Sequence, residues 1–253
     1  MISLIDGDGL VYEAGFSSDS EAKKSGLEYE PLSCAIQNLD EKLRDILDIC
    51  SADDYEMFLT GKGNFRYEIL PEYKANRDSS HRPYWYSELR NYLIEEHEAI
   101  VSENEEADDL LGIHQSDNTI ICSKDKDLDC VPGMHYNWSP KRKDDGVYIL
   151  TELDSLRFFW TQVLTGDPSD NVPGLFRLTG RKASSKIKQG LEGLTTNRQM
   201  FEYVRDLYGD IDFTPMAKCL WIKRGPDDMW EVPNESLQSI HSNQEELLSE
   251  PNV

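Results

Sequence analysis

Short apolar runs alternate with amphipathic segments along the first 150 residues. The run "ISLI" (2–5) ends in an acid, and "LSCAIQNLDEKLRDILDIC" (32–50) repeats its apolar residues at helical spacing. The segments 99–102 and 118–127 start with further apolar runs that lead into acids. Such runs are typical of buried parallel strands, and intervening helices connect strands of this kind. The pattern predicts an α/β fold with a mostly parallel central sheet flanked by helices.

The other predicted elements rest on shorter patterns. We expect a helix to begin at "LVYEAGF" and a loop to cover the polar residues 17–30. The segments 55–60 and 65–70 predict strands on either side of the turn "GKGN", and 84–97 predicts a helix. "GMHYNWS" and "GVYIL" predict two later strands, and helical patterns dominate from Thr151 onward. Helices therefore follow the α/β part.

Charge and composition divide the chain into three regions. The 48 Asp and Glu residues outnumber the 26 Lys and Arg residues, and the net charge of −22 argues against coating nucleic acid by bulk attraction. An enzyme with local basic patches and bound cations remains compatible with this charge. Residues 226–253 contain no Lys or Arg and predict a solvated acidic tail. The predicted regions are an α/β core (1–155), with a basic loop and helix at about 73–97, then a helical region (156–225), then this tail.

Cysteine usage and hydropathy indicate a cytoplasmic protein. The five cysteines form no CxxC pair, which is typical of a reduced protein without a zinc site. The start "MISLIDGDG" lacks the pattern of a signal peptide, and no run of 18 apolar residues predicts a membrane span.

Acidic residues follow three predicted strands and one later loop. They are Asp6 and Asp8; Glu106, Asp108 and Asp109; Asp125 and Asp127; and Asp167 and Asp170. Singly, each has a structural explanation, since acids in a first helical turn complement the helix dipole and Asp8 suits a turn. Together they predict one site, because the carboxyl ends of parallel strands meet at one edge of a sheet. Carboxylate oxygens select hard cations such as Mg²⁺ or Mn²⁺.

Two basic segments complement these acids. "PEYKANR" offers Tyr73, Lys74 and Arg77, with Arg82 nearby, to grip a phosphate and stack a base, although a solvated basic loop is an equal alternative. "GLFRLTGRKASSKIKQG" (174–190) combines glycines with several Arg and Lys residues. A glycine turn that leads into a helix presents backbone N–H groups to a phosphate, which is notable in so acidic a chain.

Six blocks carry a family resemblance: "LIDGDGLVY", "LPEYKANR", "EEADDLLG", "ICSKDKDLD", "LTGDPSDNVPGL" and the basic segment 173–190. In their order and spacing over residues 1–190, the sequence resembles the 5′-to-3′ exonuclease and flap endonuclease family, most closely the versions of T-odd coliphages. The resemblance implies a PIN-like core and a helical DNA-binding region with a helix-turn-helix segment.

The resemblance also implies an activity. Family members hydrolyse phosphodiesters from a 5′ end or at the base of a 5′ flap and leave 5′-phosphate products. Implied substrates are DNA with 5′ ends, flaps or nicks, and possible RNA–DNA hybrids. Implied cofactors are two Mg²⁺ ions, which Mn²⁺ can replace, and K⁺ at the helix-turn-helix segment. A phage enzyme of this kind would act in the host cytoplasm in DNA replication, primer removal or host DNA degradation.

The resemblance assigns roles residue by residue. One implied metal-ligand group is Asp6, Glu106, Asp108 and Asp109, and the other is Asp125, Asp127, Asp167 and Asp170. Lys74 and Arg77 match residues that act on the scissile phosphate. The expected DNA contacts are Tyr73, Arg82, Gly174, Gly180, Arg181, Lys182 and Lys186.

Gly61 departs from the family pattern. Many members carry an Asp after the second strand, and this chain reads "FLTGKGN" there. The first metal group is then one carboxylate short, unless a water or Asp8 replaces it. Two alternatives follow: a noncatalytic DNA-junction binder on the same fold, and a PIN-type ribonuclease.

Overall fold

A six-stranded sheet forms the centre of the protein in a computed structural model that describes residues 1–77, 81–139 and 146–234. The strands are β1 (Ile2–Asp6), β2 (Asp54–Lys62), β3 (Ile100–Glu103), β4 (Thr119–Cys122), β5 (Gly133–Tyr136) and β6 (Val147–Leu150). Their order is β3-β2-β1-β4-β5-β6, and only the pairing of β5 with β6 is antiparallel among these strands. The predicted α/β fold with a mostly parallel sheet is confirmed.

Helices connect the strands and then build a separate layer. The connecting helices are α1 (Gly7–Ser25), α2 (Leu32–Cys50), α3 (Arg66–Ile69), α4 (Tyr86–Glu96), α5 (Ala107–His114) and a 3₁₀ helix (Lys126–Cys130). The later helices are α6 (Glu152–Thr165), α7 (Leu175–Thr179), α8 (Ser185–Gln189), α9 (Asn197–Tyr208) and α10 (Thr214–Leu220). Between α6 and α7 lies a hairpin of two short strands, β7 (Gly166–Asp167) and β8 (Val172–Pro173). Within the described ranges, no helix is both long and apolar enough to cross a lipid bilayer.

The side chains of successive strand residues point alternately to the two faces of the sheet. Ile5 and Met57 pack with α1, α2 and α4 on one face. Leu4 and Phe58 pack with α5 and Ile222 on the other. This alternation is the two-residue period of strands, and here both sets are apolar because helices cover both faces. The sheet is therefore buried on both sides, and its polar chemistry is confined to strand ends.

The predicted loop over residues 17–30 is wrong for its first half. Helix α1 continues to Ser25 and ends at Gly26, whose φ of 71° is the left-handed conformation that favours glycine. Lys23 and Lys24 lie in the last turn, where positive charge complements the helix dipole. The polar stretch is helical because one face of the helix, formed by Ala14, Ser18 and Ala22, is buried.

The predicted strand over residues 65–70 is also wrong. This segment folds as the short helix α3, and Arg66 at its start is almost fully buried. Its guanidinium contacts Asp109 and the backbone of residues 219 and 221, which are distant in sequence. Tertiary contacts of a buried cation therefore override the strand propensity of the aromatic and β-branched residues.

The predicted solvated tail begins later than residue 226. Trp230 is buried, with its ring 6.1 Å from that of Trp160 and 6.4 Å from that of Phe159 in α6. The Pro233 carbonyl accepts a hydrogen bond from Arg198 at 2.9 Å. The segment up to about residue 233 thus packs on the helical layer, and residues 235–253 of the predicted tail lie outside the described residues.

Substitution of Trp230 by Ala tests this packing. We expect a loss of about 3–5 kcal/mol in the free energy of unfolding, since a large buried aromatic side chain leaves a cavity. Met229→Ala is the matched control, because Met229 is 37% exposed and should change stability little. Urea unfolding measures both variants, and equal stabilities would contradict the packing of this segment.

Candidate active site

The acids that follow the strands lie at one edge of the sheet. Strands β3, β2, β1 and β4 are neighbours, so their carboxyl ends open into the same cleft of about 430 Å³. Nine of the ten expected ligands and catalytic cations line it: Asp6, Lys74, Arg77, Glu106, Asp108, Asp125, Asp127, Asp167 and Asp170. Segments as distant in sequence as those of Asp6 and Asp170 thus meet in one site.

Asp6 joins the ends of β1 and β4. It caps α1 by accepting a hydrogen bond from the Gly9 N–H at 2.8 Å. Its other oxygen accepts the Ser123 hydroxyl at 2.6 Å, and Ser123 directly follows β4. Burial, with smaller contributions from Asp8 and Asp125, raises the pKa of Asp6 to about 6. Negative charge at Asp6 is therefore poorly compensated by the protein itself.

Asp125 and Asp127 are placed by the 3₁₀ helix that follows β4. The Asp125 carboxylate accepts the Asp127 N–H at 2.9 Å and so caps this helix. Asp127 accepts a hydrogen bond from Gln162 of α6 at 2.7 Å. Burial and the charge of Asp125 raise the pKa of Asp127 to about 7. A second carboxylate of the cleft thus lacks sufficient positive charge around it.

Asp108 and Asp109 are adjacent in α5 but point to different places. Asp108 lines the cleft, where burial and then the charges of Asp125, Asp6 and Glu106 raise its pKa well above its usual range. Asp109 is fully buried and forms a two-pronged ion pair with Arg66, at 2.6 and 2.8 Å. Its position does not support the ligand role that the resemblance implied, because both of its oxygens are bound by Arg66.

A glycine contact closes the hairpin that carries Asp167 and Asp170. Gly166 has a φ of 72°, and a Cβ there would lie 2.4 Å from the Gly174 nitrogen. Gly174 is itself buried against Thr165 and Gly166. The expected DNA contact of Gly174 is therefore not supported, because its role is close packing within the hairpin.

Hydrogen bonds tie this hairpin to the loop that carries the catalytic cations. The Lys74 N–H donates to the Asp170 carbonyl at 2.8 Å. The Asn171 side chain donates to the Glu72 carbonyl at 2.8 Å, and the Asn76 side chain donates to the Pro168 carbonyl at 2.7 Å. Lys74 has a φ of 55°, a strained conformation for a residue with a side chain. The two loops therefore form one tied unit.

Two cations and a phenol contact the carboxylates of this unit. The Lys74 ammonium contacts Glu106 and lies 3.5 Å from Asp170, which also pairs with Arg77. The Tyr73 hydroxyl donates to Asp170 at 2.7 Å and to Glu106 at 3.1 Å. These two hydrogen bonds orient the carboxylates. Because Tyr73 is only 3% exposed, the structure does not support its expected role of stacking a DNA base.

The donors of the cleft suit a hard divalent cation. Eight carboxylates line it, and among the described residues none of the lining side chains is His or Cys. The raised pKa values of Asp6, Asp108 and Asp127 show that positive charge would stabilise the group. In the three ranges that the structure covers, no three such side chains are already gathered as ligands of one ion. Side-chain rotation would have to complete a coordination shell.

Gly61 lies where β2 approaches β3 too closely for a side chain. A Cβ at this position would lie 1.9 Å from the Ser102 carbonyl oxygen. Asp8, which we considered as a replacement ligand, accepts the Thr60 N–H at 2.7 Å and pairs with Arg90. Both oxygens of Asp8 are therefore already bound by the protein.

Introducing Asp at position 61 tests whether the carboxylate of the family pattern fits. We expect Gly61→Asp to lower the free energy of unfolding by about 1–3 kcal/mol or more through overpacking, without gain of activity. The control is Gly146→Asp, where no atom of the described residues lies within 4 Å of the added Cβ. Thermal unfolding and cleavage rates measure both; a stable and more active Gly61→Asp would contradict the clash.

The basic segment after the hairpin forms a helix-turn-helix. Helix α7 ends at Gly180, which is exposed with a φ of 75°, and α8 begins at Ser185. Three of the expected DNA contacts are exposed here: Arg181, Lys182 and Lys186. Arg82 is exposed elsewhere, with its guanidinium 4.6 Å from the centre of the Tyr86 ring.

Sequence reasoning missed several residues of the site. Lys124, Lys126 and Tyr12 line the cleft. The two lysines alternate with Asp125 and Asp127 in "KDKD", a signal that was available, whereas Tyr12 belongs to an ordinary helical pattern. Arg66 carried no recognisable signal because its partners are distant in sequence.

Several phage proteins are similar to this chain in sequence or in fold. An exodeoxyribonuclease of Enterobacteria phage T3 is 28% identical over 250 residues, which cover 89% of this chain and 76% of that protein. An exonuclease of Escherichia phage T7 is 28% identical over 198 residues, covering 69% and 62%. The D15 protein of phage T5, crystallised with metal ions, and a complex of this flap endonuclease with DNA and metal ions each give a TM-score of 0.57. Both are 19% identical and cover 87% of each chain.

These matches confirm the resemblance to the phage 5′-exonuclease family. The T5 structures establish the fold alone, which is the PIN-like fold of phage 5′-exonucleases. No protein-family model matches the chain.

Proposed function

We propose that the protein is a metal-dependent 5′-nuclease that hydrolyses phosphodiester bonds of DNA. One observation carries the proposal: eight carboxylates and the cations Lys74 and Arg77, from distant segments, line one cleft at the carboxyl ends of the strands. The names of the phage T3 and T7 relatives support a nuclease, and the T5 complex with DNA and metal ions supports the substrate class.

We assign the carboxylates to two ions by the groups that the family resemblance implies. Asp6, Glu106 and Asp108 lie at the ends of β1 and β3, and they would hold one ion. Asp125, Asp127, Asp167 and Asp170 would hold the other. We propose Mg²⁺, with Mn²⁺ as a substitute. When bound, these ions supply a nucleophilic water near neutral pH and stabilise the leaving oxygen.

The protein's own cations would act on the scissile phosphate. Lys74 and Arg77 lie in the loop tied to the Asp170 hairpin, so both cations are held beside the carboxylates. Arg77 can bind two phosphate oxygens at once, whereas Lys74 acts as a point charge. Both would stabilise the charge that develops on the phosphate during attack.

The helical region would hold the duplex. Three basic side chains are exposed around the turn at Gly180, where they can contact backbone phosphates: Arg181, Lys182 and Lys186. We propose that this turn also binds K⁺. Helix α8 has only five residues, too few to read the major groove. We therefore propose recognition of 5′ ends, flaps or nicks by shape, with 5′-phosphate products; RNA–DNA hybrids are a secondary substrate.

Cleavage of a 5′-labelled duplex with a flap or nick tests the proposal. We expect products with 5′ phosphates in Mg²⁺ and none in EDTA. DNA binding without a metal-dependent product would favour the noncatalytic junction binder, for which the motivating observation is the missing carboxylate at Gly61. A strong preference for single-stranded RNA over duplex ends would favour the PIN-type ribonuclease.

A further inference from the structure

Arg66 is a buried cation directly behind the cleft. It is 2% exposed, and it borders a small cavity that is also lined by Glu106, Asp108 and Asp170. We propose that Arg66 is a positioning residue that orients Glu106 and couples it to the segment 219–223. This inference rests on the proposed function, because Glu106 is one of the proposed metal ligands.

The guanidinium donates hydrogen bonds to three partners: the Asp109 carboxylate and two backbone carbonyls. Both Nη atoms bind the two carboxylate oxygens of Asp109, at 2.6 and 2.8 Å. Its Nε donates to the Cys219 carbonyl at 2.8 Å, and Nη2 also donates to the Trp221 carbonyl at 2.8 Å. Lysine cannot reproduce this planar set of donors. The pair is therefore specific in geometry as well as in charge.

Two hydrogen-bonded routes lead from Arg66 to Glu106, whose carboxylate also lies 4.0 Å from the Arg66 guanidinium. The Asp109 carboxylate accepts the Glu106 N–H at 3.1 Å, which fixes the backbone where α5 begins. The Asn64 side chain accepts the Arg66 N–H at 3.0 Å and donates to the Glu106 carboxylate at 2.9 Å. Both the backbone and the carboxylate of Glu106 thus depend on the position of Arg66.

A third set of contacts leads to the segment that follows α10. The Lys223 N–H donates to Asp109 at 3.2 Å, and its ammonium pairs with Glu105 at 2.8 Å. Together with the two carbonyls that Arg66 binds, these contacts attach residues 219–223 to the start of α5. A shift of the helical region on binding duplex would therefore reach Glu106 through Arg66.

Arg224 provides a matched control in the same segment. Its guanidinium pairs with Glu152 at 2.6 Å and donates to the Cys130 carbonyl, so it also anchors this part of the chain. It contacts no carboxylate of the cleft among the interactions of the described residues. Like Arg66→Lys, Arg224→Lys should therefore weaken the attachment of this part of the chain, but it should leave Glu106 in place.

The experiment compares Arg66→Lys with Arg224→Lys in the full chain. Mn²⁺ binding by calorimetry, steady-state cleavage of flap DNA and urea unfolding are measured for each. For Arg66→Lys we expect Mn²⁺ affinity and kcat to fall by about 10- to 100-fold, as for residues that orient metal ligands, while KM for DNA changes less than about threefold. Arg224→Lys should leave Mn²⁺ affinity and kcat at the wild-type level.

An apolar double variant keeps the test decisive if Arg66→Lys does not fold. Arg66→Met with Asp109→Leu removes both charges, which restores stability in many buried pairs. We expect this variant to fold and, like Arg66→Lys, to bind Mn²⁺ more weakly than the wild-type protein does. Wild-type Mn²⁺ affinity and kcat in either folded Arg66 variant would overturn the proposal. A wild-type protein that binds Mn²⁺ and cleaves no DNA would contradict the proposed function instead, and the affinity comparison would still decide the role of Arg66.

Discussion

Replacement of Asp108 by Asn is expected to abolish cleavage and, in EDTA, to make the protein more stable. Loss of a metal ligand removes several kcal/mol of transition-state stabilisation, and about 4 kcal/mol corresponds to a rate about 1,000-fold lower. The folded state raises the pKa of Asp108, first by burial and then through Asp125, Asp6 and Glu106. At neutral pH its charge therefore opposes folding, and the neutral amide removes that opposition.

The control for this variant is Asp117→Asn. Asp117 is an exposed acid before β4, at the end of the sheet opposite the cleft, so its replacement should change neither the rate nor the stability appreciably. Single-turnover cleavage and urea unfolding in EDTA measure both variants. An Asp108→Asn variant that cleaves at the wild-type rate would show that Asp108 is not a ligand, whatever its stability.

Replacement of Lys74 by Gln should slow the chemical step far more than it weakens binding. We expect kcat to fall by about 100-fold or more, in the range for loss of one preorganised electrostatic donor, and duplex affinity to change by less than about threefold. The physical reason is position: the Lys74 ammonium contacts Glu106 and lies 3.5 Å from Asp170, inside the cleft.

Lys182→Gln, in the helix-turn-helix, should show the opposite effects on binding and rate to those of Lys74→Gln. Lys182 is exposed, and loss of one phosphate contact should weaken duplex binding and reduce the salt dependence of log K by about one unit, with little effect on the rate at saturation. Fluorescence anisotropy over a salt series measures binding, and single-turnover rates measure the chemistry. If Lys74→Gln behaved like Lys182→Gln, Lys74 would be a binding residue only.

The strand ends were predictable because the sheet obeys a simple periodicity. Apolar runs that end in acids identified β1, β3 and β4, and their parallel pairing brings Asp6, Asp108 and Asp125 to one edge. Local pattern was sufficient here, since helices cover both faces of the sheet and leave only its ends for polar chemistry.

The roles of adjacent acids were not predictable from spacing. Successive residues of a helix point about 100° apart, and here Asp108 lines the cleft while Asp109 is turned to Arg66. Which of them does depends on Arg66, a buried partner 43 residues away from Asp109 in sequence. The contacts of Tyr73 were not predictable for a similar reason, because an aromatic residue beside basic residues suggests base stacking, whereas the structure shows its hydroxyl bound to two carboxylates.

Composition misled at the other end of the chain. Residues from 226 onward carry acids and no Lys or Arg, and this predicts exposure. Buried Trp230 packs on α6, and hydrogen bonds to Asp228 and to the Pro233 carbonyl also hold this first part on the helical layer.

The tied loops around Lys74 and Asp170 have a consequence for protein engineering. Three hydrogen bonds to backbone carbonyls join them, one from a backbone N–H and two from Asn side chains. The cations on one loop are therefore held at fixed positions beside the acids on the other. A chimera with a homologous enzyme that exchanges only one of these loops would break the register between them. Exchange of both loops together should transplant the whole arrangement, and sequence drift in one loop is expected to be accompanied by compensating change in the other.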